Sequence, residues 1–108
     1  MKIENRNNMN EYYRRGDVYR IQFLDAGTLH TIMKADKIDE GQLRLGGVYS
    51  AILECYRPDH QLLDFAILGE TGVLTQVRIR KDEIDDKHIS VKCVWKCVNI
   101  YTSTGGNK

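Results

Sequence analysis

The side chains best suited to chemistry in this chain are three cysteines, three histidines, a run of carboxylates and one cluster of arginines and tyrosines. Cys93 and Cys97 lie four apart in "HISVKCVWKCVNIY". On a helix that spacing would put both thiols on one face and make half a metal site. The flanking Val, Trp and Ile favour a strand, where four residues span about 13 Å, too far for shared ligation or a disulfide. The cysteines, Cys55 included, are therefore expected as small buried apolar residues. His30, His60 and His88 show no HxH or HxxxH spacing and read as solvent-facing or turn residues. Asp82-Glu83 and Asp85-Asp86 interleave with Arg80, Lys81 and Lys87. A general acid–base pair needs a cleft that gives its two carboxylates unlike environments, whereas this mixture reads as a solvated turn. Phosphate-binding, nucleophile-elbow and dinucleotide-binding signatures are absent. The sequence thus assigns no catalytic residue, no metal ligand and no cofactor.

The stretch "EYYRRGDVYRIQF" is more suggestive. Tyr12, Tyr13, Arg14, Arg15 and Arg20, with Arg6 upstream, combine rings that stack on bases with cations that meet phosphates. Lys92 and Lys96, read on the outer face of the last strand, would extend such a patch. The competing reading has Tyr13 capping one end of the fold while the arginines are solvated.

These residues must be positioned by strands. From Asp17 the pattern alternates, with Tyr19, Ile21 and Phe23 on one side and Arg20 and Gln22 on the other. "LDAGT" reads as a turn, and "LHTIMKAD" as a second strand closing a hairpin. Residues 37–47 read as a helical turn or a wide loop. "VYSAILECY" is apolar on both faces, as a central strand is, and Pro58 in "RPDHQ" suits the turn that closes it. "LLDFAIL", the turn "GETG" and "VLTQVRIR" complete a meander in which Leu63, Phe65 and Ile67 share one face. So do Val73, Thr75, Val77 and Ile79. "KDEIDDK" reads as a short helical turn or an acidic loop. In the final strand Ile89, Val91, Cys93, Trp95 and Cys97 fall on one face, with Ser90, Lys92 and Lys96 on the other. The expected fold is mostly β: a small SH3-like or OB-like barrel of five to six antiparallel strands with short helical turns. Its expected limits are a flexible polar arm at 1–10, one domain at 11–101 and a disordered tail at 102–108.

The bulk numbers bound the partners. A chain of 108 residues is one domain of ordinary size. Lys plus Arg is 16 and Asp plus Glu is 15, so no global field draws it to nucleic acid or an anionic membrane. Its apolar stretches are too short to span a bilayer, and "MKIENRNNMN" is not a signal peptide. With an odd number of cysteines, a reduced cytoplasmic protein is expected.

The segment Arg15-Gly16-Asp17-Val18-Tyr19 resembles the opening of the MazF/PemK toxin family, endoribonucleases on an SH3-like barrel that often begin with Arg-Gly-Asp-Ile/Val-Tyr. That resemblance implies a barrel and dimerisation. The family's next signature, a Gly-x-Arg-Pro whose arginine serves catalysis, has no counterpart, since the chain reads Gly46-Gly47-Val48-Tyr49 there. Arg57-Pro58 lies at the far end of that strand, so no catalytic residue carries over.

The sequence therefore predicts a non-catalytic binding module, such as a phage or mobile-element inhibitor that binds a host protein or a small anionic ligand. Val94, Val98 and Ile100 are its expected homo-oligomer or partner surface, because a lone barrel buries only one face of each strand. Two other readings stand beside it. One is a divergent ribonuclease using Arg14, Arg15 or Arg20, and the other is a small nucleic-acid or nucleotide-binding barrel.

Overall fold

The structure, a computed structural model, describes residues 13–97. It is mostly β, with strands β1 (Val18–Phe23), β2 (Val48–Arg57), β3 (Leu62–Leu68), β4 (Leu74–Arg80) and β5 (Ile89–Trp95). One helix, α1 (Ala26–Ala35), follows β1, and a 3-10 turn (Lys81–Glu83) leads from β4 toward β5. The strands form one antiparallel sheet in the order β4-β3-β2-β1-β5, with β2 at the centre as its two-sided apolar pattern predicts.

One face of the sheet carries the core. Tyr19, Ile21 and Phe23 of β1, Tyr49, Ala51 and Leu53 of β2, and Leu63, Phe65 and Ile67 of β3 are all buried. Val77, Ile79 and Ile89 complete this layer. The period-two alternation read from the sequence is the direct cause, since successive side chains leave opposite faces of a pleated strand. Each fully buried Ile, Leu or Phe contributes about 1.5–3 kcal/mol relative to exposure.

The expected second strand is a helix, which corrects the hairpin reading. Leu29, Ile32 and Met33 follow the i, i+3, i+4 spacing of a helical stripe, and Leu29 and Ile32 are buried in the core. Asp25 caps the helix, its Oδ2 accepting from the Thr28 backbone N–H at 2.9 Å and from Thr28 Oγ1 at 2.9 Å. The helix packs on β1 and β4 and covers the open side of the sheet. Residues 37–47 then cross back as a pinned loop. Ile38 and Leu43 enter the core, and buried Gln42 accepts from Thr71 Oγ1 at 2.9 Å.

The strands therefore number five, and among the described residues the sheet ends at β4 and β5 without closing on itself. Two carboxylates occupy the β4 edge: Asp36 accepts from the Arg78 backbone N–H at 2.9 Å and Glu83 from that of Arg80 at 3.0 Å. Edge groups satisfied in this way cannot pair with a further strand.

Two bulges decide which side chains face out. In β2 the register steps from Leu53↔Phe65 to Cys55↔Asp64, making Glu54 the extra residue. In β5 it steps from Tyr19↔Cys93 to Val18↔Trp95, making Val94 the extra residue. An extra residue shifts the alternation by one. Val94 and Trp95 therefore both lie exposed on the outer side, and Lys96 turns back toward the buried Asp17. This corrects the face predicted for Trp95 and for Lys96.

Candidate functional site

The Arg-Gly-Asp-Val-Tyr segment is a structural latch. Arg14 to Asp17 form a turn closed by the Asp17 N–H on the Arg14 carbonyl at 3.0 Å, with Gly16 at φ +97° in the position that requires positive φ. A Cβ on Gly16 would lie 2.9 Å from Cys97 Sγ, so the turn and the end of β5 touch there. The Asp17 carboxylate is fully buried. It accepts from the Arg14 N–H at 3.0 Å, Tyr19 Oη at 3.2 Å, Lys96 Nζ at 2.6 Å and the Cys97 N–H at 2.9 Å. Burial alone would raise its pKa, but the donors from Cys97, Lys96 and Arg14 together hold it below the ordinary 3.8. Tyr19 is pushed far above the ordinary phenol range by burial and by the Asp17 charge beside it.

The cluster predicted from the sequence is divided among four places. Tyr13 is half-buried and packs on Tyr56 at 5.0 Å and Tyr19 at 6.2 Å between ring centroids, with Lys81 Nζ 5.9 Å above its ring. Arg14 is half-buried in the turn, and Arg15 is exposed on it. Lys96 belongs to the Asp17 latch. Arg20 and Lys92 do come together, as directly opposed partners on β1 and β5, both exposed. Tyr12, Val98 and Ile100 lie outside the described residues. Val94 is 48% exposed.

Beside the Arg20–Lys92 pair runs a feature that sequence alternation misplaced. Trp95 pairs with Val18, and Val18 with Ile52, so three apolar side chains cross β5, β1 and β2 in one row on the outer face. Trp95 is 46% and Ile52 44% exposed. Val48, Leu68 and Leu74 are exposed on the same face by register. The signal that would have found this row is a bulge in β5, which nothing in "SVKCVWKC" marks.

Several other titratable groups are engaged locally. His88 Nδ1 lies 2.9 Å from Asp85 Oδ2, which raises the imidazole pKa and holds the Asp85 carboxyl at about 2. Tyr49 Oη donates to Glu70 at 2.7 Å, Arg44 lies 3.1 Å from the same carboxylate, and Arg80 pairs with Asp82 at 3.1 Å. His30 and His60 are exposed. The cysteines are free thiols. Cys55 and Cys97 are half-buried, but Cys93 is exposed, against the expectation of buried thiols, because β5 is an edge strand. Among the described residues no group of three His, Cys, Asp or Glu side chains is placed to hold a metal ion. No described helix is long and apolar enough to cross a membrane. Compared with family models, curated proteins and solved structures, the chain matches none.

Proposed function

We propose that the chain is a non-catalytic binding module that engages a protein partner through the outer face of its sheet. The observation that carries this reading is the row Trp95–Val18–Ile52, with Val48, Leu68 and Leu74 exposed on the same face, which the chain's own helix leaves uncovered. Apolar patches of this kind on a small domain mark interaction sites, and tryptophan is a common energetic anchor in them. Arg20 and Lys92 at the border of the row favour a partner that carries carboxylates there. A second copy of the chain or a host enzyme held inactive by an element-borne inhibitor are the partners this reading contemplates, in a reduced cytoplasm suited to free thiols.

The strand order supports the finer architectural reading. A meander of β2, β3 and β4, a 3-10 turn from β4 to β5, and β1 pairing between β2 and β5 make up the connectivity expected of an SH3-like barrel. It also favours the MazF/PemK kinship as a relationship of scaffold. A divergent ribonuclease would share that scaffold, and RNA left intact by the purified protein across substrates would remove it.

Trp95 is the only tryptophan in the chain, so its fluorescence reports the face directly. We expect the wild type to self-associate by light scattering at micromolar concentration, or to retain a defined protein from host lysate with a blue shift of Trp95 emission. The Ile52→Lys variant should lose whichever is seen and keep its unfolding midpoint. A monomeric wild type whose retained proteins are unchanged in Ile52→Lys would sink the proposal.

A further inference from the structure

The outer face holds a second feature at the other end of the sheet, beyond the β2 bulge. Asp36, Glu54, Cys55, Arg57, Asp64, Gln76 and Arg78 line an open cleft of about 440 Å³, within the range of small-ligand sites. The bulge at Glu54 turns Cys55 toward Asp64, and Asp64 is paired in register with Arg78, so strand geometry brings these groups together.

The cleft has two poles. At one, Asp64 holds both guanidinium groups, with Arg78 Nε at 2.8 Å and Arg57 Nε at 3.5 Å. The Arg78 guanidinium is thus fixed by Asp64 while its backbone is fixed by Asp36, and both arginines keep about half of their side chains exposed. One carboxylate shared by two guanidiniums leaves a positive excess with N–H groups still open to a ligand. On the far side, Glu54 has the neutral donor Gln76 Nε2 at 3.1 Å as its partner. Asp36 accepts from the Arg78 backbone N–H and stands beside the charge of that same arginine. Summed over the lining, three carboxylates face two guanidiniums, so the cleft carries net negative charge with a local positive pole.

The geometry points to a binding site for a cationic amino acid, with its carboxylate on Arg57 and Arg78 and its basic groups on Glu54 and Asp36. A ligand with one anionic and two cationic groups matches both the poles and the net charge. A bare polyanion meets Glu54 and Asp36 as like charges, and a simple cation leaves the arginine pole unused. Because the arginines are held in place before binding, little ordering opposes it.

Cys55 supplies a reporter inside the cleft, and exposed Cys93 supplies an internal control. Alkylation of the full chain by iodoacetamide, followed residue by residue by mass spectrometry, should slow at Cys55 and not at Cys93 as L-arginine is added. Glu54→Gln and Arg57→Gln should each raise the half-protecting concentration about tenfold while circular dichroism stays unchanged. Equal protection by guanidinium chloride or sodium acetate at matched ionic strength would overturn the assignment. So would an absence of protection, or unchanged protection in both folded variants. Guanosine monophosphate protecting better than L-arginine would overturn it as well, in favour of an anion site.

Discussion

Asp17 shows how one residue can look functional and act structurally. Its carboxylate collects two backbone donors, a phenol and an ammonium, and ties the start of β1 to the residues just past β5. Asp17→Asn keeps the shape but removes the charge that the Lys96 ammonium, 20% exposed, meets at 2.6 Å. We expect a loss of about 3 kcal/mol, at the low end of the range for a broken buried pair because Lys96 retains some solvent. Chemical denaturation of the variant checks this, and a change below about 1 kcal/mol would show that the latch is dispensable. The pH dependence follows from the direction of the shift. A carboxyl with a folded pKa below 3.8 contributes stability that is fully present above that value and lost as pH falls through the folded pKa. Asp17→Asn should therefore flatten the acid limb of the stability curve. The RGDVY opening was legible as an approach to a first strand. That its aspartate would be sealed against Lys96, 79 positions away, was not, because a contact of that separation depends on the bulge in β5.

The elements divide between those a local pattern settles and those it leaves ambiguous. β1 alternates cleanly; in β3 Ala66 is buried together with the predicted Leu63, Phe65 and Ile67, and of the set predicted for β4 Val77 and Ile79 are buried, Thr75 is half-buried, and Val73 lies exposed before the strand. In "LHTIMKAD" the same letters satisfy two periods, since Leu29, Thr31 and Met33 alternate while Leu29, Ile32 and Met33 make a helical stripe. The deciding signal was Asp25 three residues before Thr28, a helix cap that the turn reading of "LDAGT" obscured. Asp25→Ala should cost about 1 kcal/mol and lower the helical signal in circular dichroism. The β4–β5 connection adds a pH dependence of opposite sign to that of Asp17. His88 is raised above 6.5 chiefly by its hydrogen bond to Asp85, with smaller contributions from Asp25 at the start of α1 and from Glu83. Stability from a raised pKa is fully present below 6.5 and lost as pH rises through the folded value. A proton NMR titration should place His88 above an unfolded histidine, and Asp85→Asn should remove most of the difference. A His88 titration unmoved by Asp85→Asn would contradict the geometry.

At the scale of the whole molecule, the sheet has one face that pays for folding and one that is left unspent. The inner face, closed by α1 and the loop through Leu43, holds the core, whereas the outer face exposes Trp95, Ile52, Val48, Leu68 and Leu74. The sequence hinted at this through the two-sided pattern of β2, but the bulges at Glu54 and Val94 chose which residues point outward. The Arg20–Lys92 pair is the sharpest sign that this face is not arranged for the stability of an isolated chain. Like charges opposed across two strands are destabilising, and neighbouring Ser50 offers no compensating charge. Lys92→Glu converts the repulsion into an attraction. It should raise stability by about 0.5–1 kcal/mol, and the unfolding midpoint by a few degrees, at low salt. The gain should shrink as ionic strength rises. If the face meets a partner bearing carboxylates, the same substitution should weaken that association even as it stabilises the monomer. A variant that is both more stable and equally well bound would separate the charged pair from the interface and leave the apolar row to act alone.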